Sequence, residues 1–297
     1  MMKTPSLLVA GEHAERARAR IRWRSGIAAI WLVPFAVVFT LFCLAPMVWV
    51  IANSVQSTQG FTLANYAEIL SSPFYRQAFG NSLRISLWSS AIGLVIAIFG
   101  AASLRRVPGR LRRLVVSVTN MTSNLTGVPL AFAFIILVGT NGSLTLLFEA
   151  WGLAKHFDLY SINGLILIYT YFQIPLGILL LYPAFDALDD DWQAAASLLG
   201  AKLWQYWRHV GLPVLAPAIF GTFILLFANA IGAYASAYAL TQGNFNLITV
   251  RIAGLVSGDL FLDPNMAAAL SVLLMLLLLA VTVANQWLLN RRTRHAR

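Results

Sequence analysis

Charged residues are scarce in this chain of 297 residues: they make up 11% of it, whereas hydrophobic residues make up 59%. Globular domains carry about 25% charged residues, so the composition excludes an ordinary water-soluble domain. Cys43 is the only cysteine, which excludes an internal disulfide and a cluster of thiolate metal ligands. What remains is a chain dominated by long apolar runs.

Motifs for nucleotide, metal or covalent chemistry are also missing. No phosphate-binding loop of the form G-x-x-x-x-G-K-[ST] occurs, because none of the lysines has that glycine context. The four histidines are His13, His156, His209 and His295. They lie far apart in tails or loops, without the spacing of metal ligands. We therefore expect no catalytic site, no metal site and no cofactor in this chain itself.

Six apolar windows are long enough to cross a bilayer, which takes about 20 residues of helix. These windows are residues 26–53, 82–104, 115–139, 161–184, 214–240 and 266–290. A cleaved signal peptide would not precede five further spans, so the first window is expected to be retained. The sequence predicts an all-α polytopic membrane protein with a basic tail (1–25), a transmembrane domain (26–290) and a short second tail (291–297).

The net charge of +10 comes from short basic blocks between the windows, and not from a face suited to nucleic acid. Arginines cluster in the first tail, after the second window at 105–113, and in the last tail. Basic residues favour the cytoplasmic side of a membrane. Both termini and the connection 185–213 are therefore predicted to be cytoplasmic.

The connection 185–213 is charged and aromatic, and its second part reads SLLGAKLWQYWRHVGLP. Trp192, Ala195, Ala196 and Leu199 have the spacing of one apolar helix face, and Gly200 then permits a turn. A second amphipathic helix is predicted to follow and to end at Pro213, where the fifth span begins. Two interpretations stay open from these residues: a helix pair on lipid headgroups, or a knob that docks into a cytoplasmic partner.

This connection resembles the EAA loop of permease subunits of binding-protein-dependent ABC importers. Ala195-Ala196, Gly200 and Leu212-Pro213 stand at the family's spacing, whereas Ala194 occupies the position of its glutamate. The stretches 127–142, 171–188 and 229–241 are similar to the spermidine/putrescine branch of these permeases. The resemblance implies a type I ABC importer permease fold, with six transmembrane helices and a cytoplasmic coupling-helix loop.

The resemblance also implies partners and a location. The partners are an ATP-binding cassette ATPase dimer that binds ATP and Mg, a second homologous permease subunit or a copy of this chain, and an extracytoplasmic solute-binding protein. The location is the bacterial cytoplasmic (inner) membrane, and the transported solute is small and polar, with a polyamine as the best single expectation. The implied contacts to the ATPase are Ala195, Ala196, Gly200, Leu203, Trp204, Trp207, Leu212 and Pro213.

Polar side chains inside the apolar windows are candidates for the lining of a transport path. They are Asn120, Asn124, Tyr171, Gln173, Asn229 and Tyr234. Polar groups in lipid are costly, so each should face either a cavity or a hydrogen-bonding partner on another helix. Both alternatives stay open for all six residues.

Two other classes of protein are alternatives to an importer subunit. A stand-alone secondary carrier or channel needs functional charges inside the spans, and no carboxylate lies in the middle of any window. A membrane-embedded enzyme or scaffold needs titratable groups that converge at one depth, and these are also missing.

Overall fold

The computed structural model of the chain describes residues 32–57, 60–152, 158–258 and 262–294. The predicted basic tail 1–25 lies outside the described residues. Within them the chain is helical, apart from connections and one short antiparallel hairpin of β1 (Gln56–Ser57) and β2 (Gly60–Phe61).

Twelve helices follow one another along the described parts of the chain. They are α1 (Leu32–Ser54), α2 (Ala64–Ser71), α3 (Pro73–Arg105), α4 (Gly109–Ser123), α5 (Val128–Val138), α6 (Ser143–Ala150), α7 (Ile162–Asp186), α8 (Asp190–Leu198), α9 (Leu203–Ile231), α10 (Ala235–Thr241), α11 (Ile248–Ser257) and α12 (Pro264–Arg294). Prolines stand in the first turns of α3 and α5, where a missing N–H costs no helical hydrogen bond.

Within the described residues, six helical stretches are long and apolar enough to cross a membrane, which confirms the predicted number of spans. They are Leu32–Ser54, Pro73–Arg105, Val128–Ala150, Ile162–Asp186, Leu203–Ile231 and Pro264–Trp287. The third of these stretches consists of α5, a turn and α6.

The third span differs from the predicted window 115–139. The window combines the end of α4 with α5, but the chain breaks between them, at residues 124–127. Gly127 adopts a positive φ of 75°, a conformation that other residues resist, and Pro129 follows in the first turn of α5. The apolar span therefore begins at Val128 and continues into α6.

The fifth span also differs from its predicted window, 214–240. Its helix ends at Ile231, and the chain continues through a break at residues 232–234 into α10. At its other end, α9 passes through Pro213 without stopping. A wider π turn at Trp207–Gly211, in which the Leu212 N–H donates to the Trp207 carbonyl, precedes the proline in this continuous helix.

The core of the bundle is the contact of α7 with α3 and α9. Two glycines allow α3 and α7 to approach closely: a Cβ on Gly177 would lie 2.7 Å from the Ala97 Cβ, and one on Gly93 would lie 2.9 Å from the Gln173 Cβ. Small residues at such crossings are typical of helix packing in membranes. By contrast, the apolar part of α1 is not buried by the described chain, although α1 packs on α12.

Candidate translocation and coupling sites

The breaks in the third and fifth spans lie against each other. The Gly127 N–H donates to the Ser236 Oγ at 3.0 Å, and the Ser236 hydroxyl donates back to the Gly127 carbonyl at 3.2 Å. The Tyr169 hydroxyl donates to the Ala233 carbonyl at 2.8 Å and so pairs one carbonyl of the second break. Irregular backbone inside a membrane is tolerated where it is paired or lines a cavity, and both conditions hold here.

A cavity of about 320 Å³ opens beside these two breaks. Its lining consists of Thr126, Gly127, Phe172, Ala228, Asn229, Gly232, Ala233, Tyr234, Ala235 and Ser236. The wall thus combines an amide, three hydroxyl side chains, two aromatic rings (one of which carries a hydroxyl) and backbone, with no carboxylate or basic side chain in that set. The Tyr234 ring also packs on Tyr238, with centroids 5.2 Å apart.

Two of the six candidate lining residues, Asn229 and Tyr234, meet at this cavity. Thr126, Gly127 and Phe172 were not predicted from the sequence. A glycine two residues before a proline, after a run of polar residues, was the available signal for the break. The break was missed because the mean hydropathy of the window 115–139 is high across it.

Gln173 lies elsewhere, at the contact of α7 with α3. Its side chain is fully buried, and its Nε2 donates to the Ser90 Oγ at 2.8 Å. Of the two alternatives left open for Gln173, this placement favours packing, because its amide is enclosed by two helices of the same chain.

The remaining three candidates do not belong to the lining of the cavity beside the breaks. Tyr171 lines an apolar depression of about 440 Å³ and packs edge-on against Phe134, with centroids 5.4 Å apart. Asn120 is exposed on α4, and Asn124 is exposed directly after α4 ends; the Asn124 Nδ2 donates to the Asn120 carbonyl at 2.8 Å. The structure therefore does not bring these three residues together with Asn229.

The segment 189–213 contains α8 and the first turns of α9, which meet at a bend. Asp189 caps α8 by accepting the Asp191 N–H at 3.0 Å. Gly200 follows with a φ of +80°, and the next helix starts where the Lys202 N–H donates to the Gln205 Oε1 at 2.7 Å. The bend thus depends on a left-handed glycine between the end of α8 and the capped start of α9.

Large apolar side chains project from this bend. Leu198 is 90% exposed, Leu199 88% and Trp204 67%. A cavity of about 360 Å³ lies inside the bend, with Leu199, Gly200 and Tyr206 in its wall. Of the predicted contact residues, Ala195, Leu203, Leu212 and Pro213 are also exposed, while Ala196 is half-buried. Leu198, next to the predicted apolar face, was not among them.

Trp207, one of the expected contacts, makes ring contacts within this chain. Its ring packs inward, 6.5 Å from the Phe185 ring and 5.7 Å from the Tyr206 ring. A Cβ on Gly211 would lie 2.6 Å from the Trp207 Cε3, so this glycine makes room for the ring. Trp207 therefore fastens the bend to the end of α7, and Trp204 is the tryptophan that the bend presents outward.

Comparisons with known proteins agree on one family. Residues 89–295 match the family described as "Binding-protein-dependent transport system inner membrane component". The thiamine transport system permease protein ThiP of Escherichia coli (strain K12) is 29% identical over 210 residues, which are 69% of this chain and 39% of ThiP. The spermidine/putrescine transport system permease protein PotB of Haemophilus influenzae is 26% identical over 274 residues, which are 88% of this chain and 95% of PotB.

Solved structures show the same fold. A chain of a bacterial alginate ABC transporter, solved in complex with an alginate pentasaccharide-bound periplasmic protein, matches with a TM-score of 0.75 at 16% identity, over 92% of this chain and 97% of that chain. This chain spans less than half of the length of the thiamine permeases that it matches. Because the family match covers more than half of the sequence, the chain belongs to the inner-membrane components of binding-protein-dependent transport systems.

Proposed function

We propose that this chain is one permease half of an ABC importer and that it carries a small organic cation, a polyamine first among them. The observation that carries the proposal is the cavity at the two helix breaks, which offers polar and aromatic groups inside a six-span bundle. Type I importers have two permease halves, so a second homologous subunit or a copy of this chain completes the path.

In this proposal the segment 189–213 docks into an ATPase subunit. The exposed Leu198, Leu199 and Trp204 support the docking interpretation over the lipid-anchor one, because apolar side chains of a rigid bend can fill a pocket in a partner. The segment and both termini then face the cytoplasm, as the basic blocks predict. An extracytoplasmic solute-binding protein delivers the solute at the opposite end.

ATP and Mg belong to the partner in this proposal. The sequence has no phosphate-binding loop of its own, so the ATPase dimer binds both and does the hydrolysis. The role of this chain is mechanical: closure of the ATPase dimer moves the docked segment, and the bundle alternates the side to which its cavity opens.

The cavity wall supports a cationic solute. The ring faces of Phe172 and Tyr234 attract cations, and the Asn229 side chain adds an acceptor oxygen. No basic side chain in the wall repels a positive charge. Putrescine, spermidine and thiamine, which the names of the two relatives carry, are all cations at neutral pH.

Uptake into vesicles tests the choice of solute. The chain is purified together with the proteins that accompany it, reconstituted, and supplied with its binding protein and ATP. We expect ATP-dependent uptake of labelled putrescine, competition by unlabelled spermidine, and no competition by an excess of trehalose. If labelled trehalose were taken up and putrescine did not inhibit its uptake, the solute would not be a cation. The proposed role as an importer subunit would be unaffected.

A further inference from the structure

Two arginines near the turn between α3 and α4 reach across to the segment that precedes the bend. The Arg105 Nη2, at the end of α3, donates to the Leu188 carbonyl and to the Asp190 carboxylate, at the start of α8. The Arg105 side chain is 19% exposed, whereas the Asp190 side chain is 90% exposed. Arg105 thus joins the end of the second span to the first helix of the segment 189–213.

Arg112 makes a second link of this kind, from α4 to the end of α7. Its Nη2 donates to the Asp186 carboxylate at the end of α7, and its guanidinium lies 4.7 Å above the centroid of the Tyr182 ring. Arg112 belongs to α4, the helix that ends just before the break at Gly127. This link therefore connects the end of the fourth span to the helix that leads to the cavity wall.

The neighbouring arginines differ in their surroundings. Arg106, Arg110 and Arg113 are exposed, and no carboxylate among the described residues pairs with them. The same basic block therefore contains two arginines that bind acidic residues near the bend and three that do not. All five arginines provide positive charge that favours the cytoplasmic side. Only Arg105 and Arg112 add a specific contact to a carboxylate of the described chain.

We propose that Arg105 and Arg112 are positioning residues that transmit movement of the segment 189–213 to the cavity. One link runs from Asp190, in the segment itself, through Arg105 into α3. The other runs from Asp186, at the end of α7 and three residues before the segment, through Arg112 into α4. From α4 it continues to Gly127, which is hydrogen-bonded to Ser236 in the wall of the cavity. The proposal rests on the proposed function, since it assumes that an ATPase moves this segment.

In each pair the carboxylate is exposed although the arginine is mostly covered, so water weakens the pair, and its loss should leave the chain folded and inserted. Their effect should appear in the coupling between ATP hydrolysis and transport. The structure offers a matched control at Arg106, which has the same charge and lies next to Arg105 but has no carboxylate partner among the described residues.

The test compares Arg105→Gln with Arg112→Gln, the double variant and the control Arg106→Gln in the full reconstituted complex. Solute uptake and ATP hydrolysis are measured in the same vesicles, together with the amount of ATPase that co-purifies. We expect roughly fivefold or greater loss of uptake per ATP in the double variant, the lower end of typical coupling between sites, with normal ATPase content. Arg106→Gln should be unchanged.

Exchange of the charges completes the test. The pair Arg112→Asp with Asp186→Arg should recover part of the uptake per ATP that Arg112→Asp alone loses. Normal coupling in the double variant, an equal loss in Arg106→Gln, or a double variant that loses its fold or its ATPase would overturn the proposal, the last because it assigns the arginines a structural role. A wild-type chain that purifies without any ATPase would instead overturn the proposed function.

Discussion

Gly200→Val is expected to abolish ATP-driven uptake and to weaken binding of the ATPase. Gly200 has a φ of +80°, and a β-branched residue is strongly disfavoured there. No atom lies within 4 Å of a Cβ at this position, so the effect comes from the backbone and not from a steric clash. The angle between α8 and α9 would widen. Leu198 and Leu199 would then no longer project beside Trp204.

The expected loss is large because, in the proposed docking, the bend presents several apolar side chains at once. Misplacement of one central apolar contact typically costs at least about 2 kcal/mol of binding, which is roughly a 30-fold loss of affinity. Affinity for the purified ATPase and uptake into vesicles are the measurements. Gly109→Val is the control, since Gly109 also has open space around its Cβ position but lacks a positive φ. Normal affinity and uptake in Gly200→Val would refute the role of the bend.

Asn229→Lys is expected to reduce uptake of a cationic solute by about a hundredfold. Asn229 lies in the cavity wall, where a lysine would place a fixed positive charge beside the path. Two like charges about 6 Å apart repel by roughly 3 kcal/mol at an effective dielectric of about 20. That penalty corresponds to about a hundredfold in an equilibrium or rate constant.

Asn120→Lys provides the matched control for this prediction. Asn120 is exposed on α4 and does not contribute to the cavity wall, so the same substitution should leave uptake near normal. Asn229→Gln retains the amide and should retain most of the uptake. Equal uptake by Asn229→Lys and Asn120→Lys would mean that the solute does not pass this cavity.

The number of spans was predictable because hydrophobic length is a property of contiguous sequence. The two helix breaks were not, because a hydropathy window averages over the few residues that form them. At 124–127 the decisive feature is the positive φ of Gly127, which the sequence permits but does not require. Pro213 was expected to end a helix, yet α9 continues through it after the π turn at Trp207–Gly211.

The same distinction, between local sequence features and contacts of distant residues, applies to the two candidate sites. The bend at Gly200 depends on local capping, and the glycine and its flanking helices were visible in the sequence. Partners that are distant in the sequence were not visible: Gln173 binds Ser90 on another helix, and Trp207 packs on Phe185. Polar and aromatic residues in the spans therefore identified candidates, and only the packing of the helices could separate Asn229 and Tyr234 from the rest.

Purification of the tagged full chain from its native membrane in mild detergent, with mass spectrometry of the accompanying proteins, tests the central claim most directly. The account predicts an ATPase with a phosphate-binding loop and a second six-span subunit, or a second copy of this chain, in stable proportion. Loss of the ATPase in the Gly200→Val variant would locate the contact at the bend. A chain that purifies without any ATPase would contradict the account and favour a stand-alone carrier or channel.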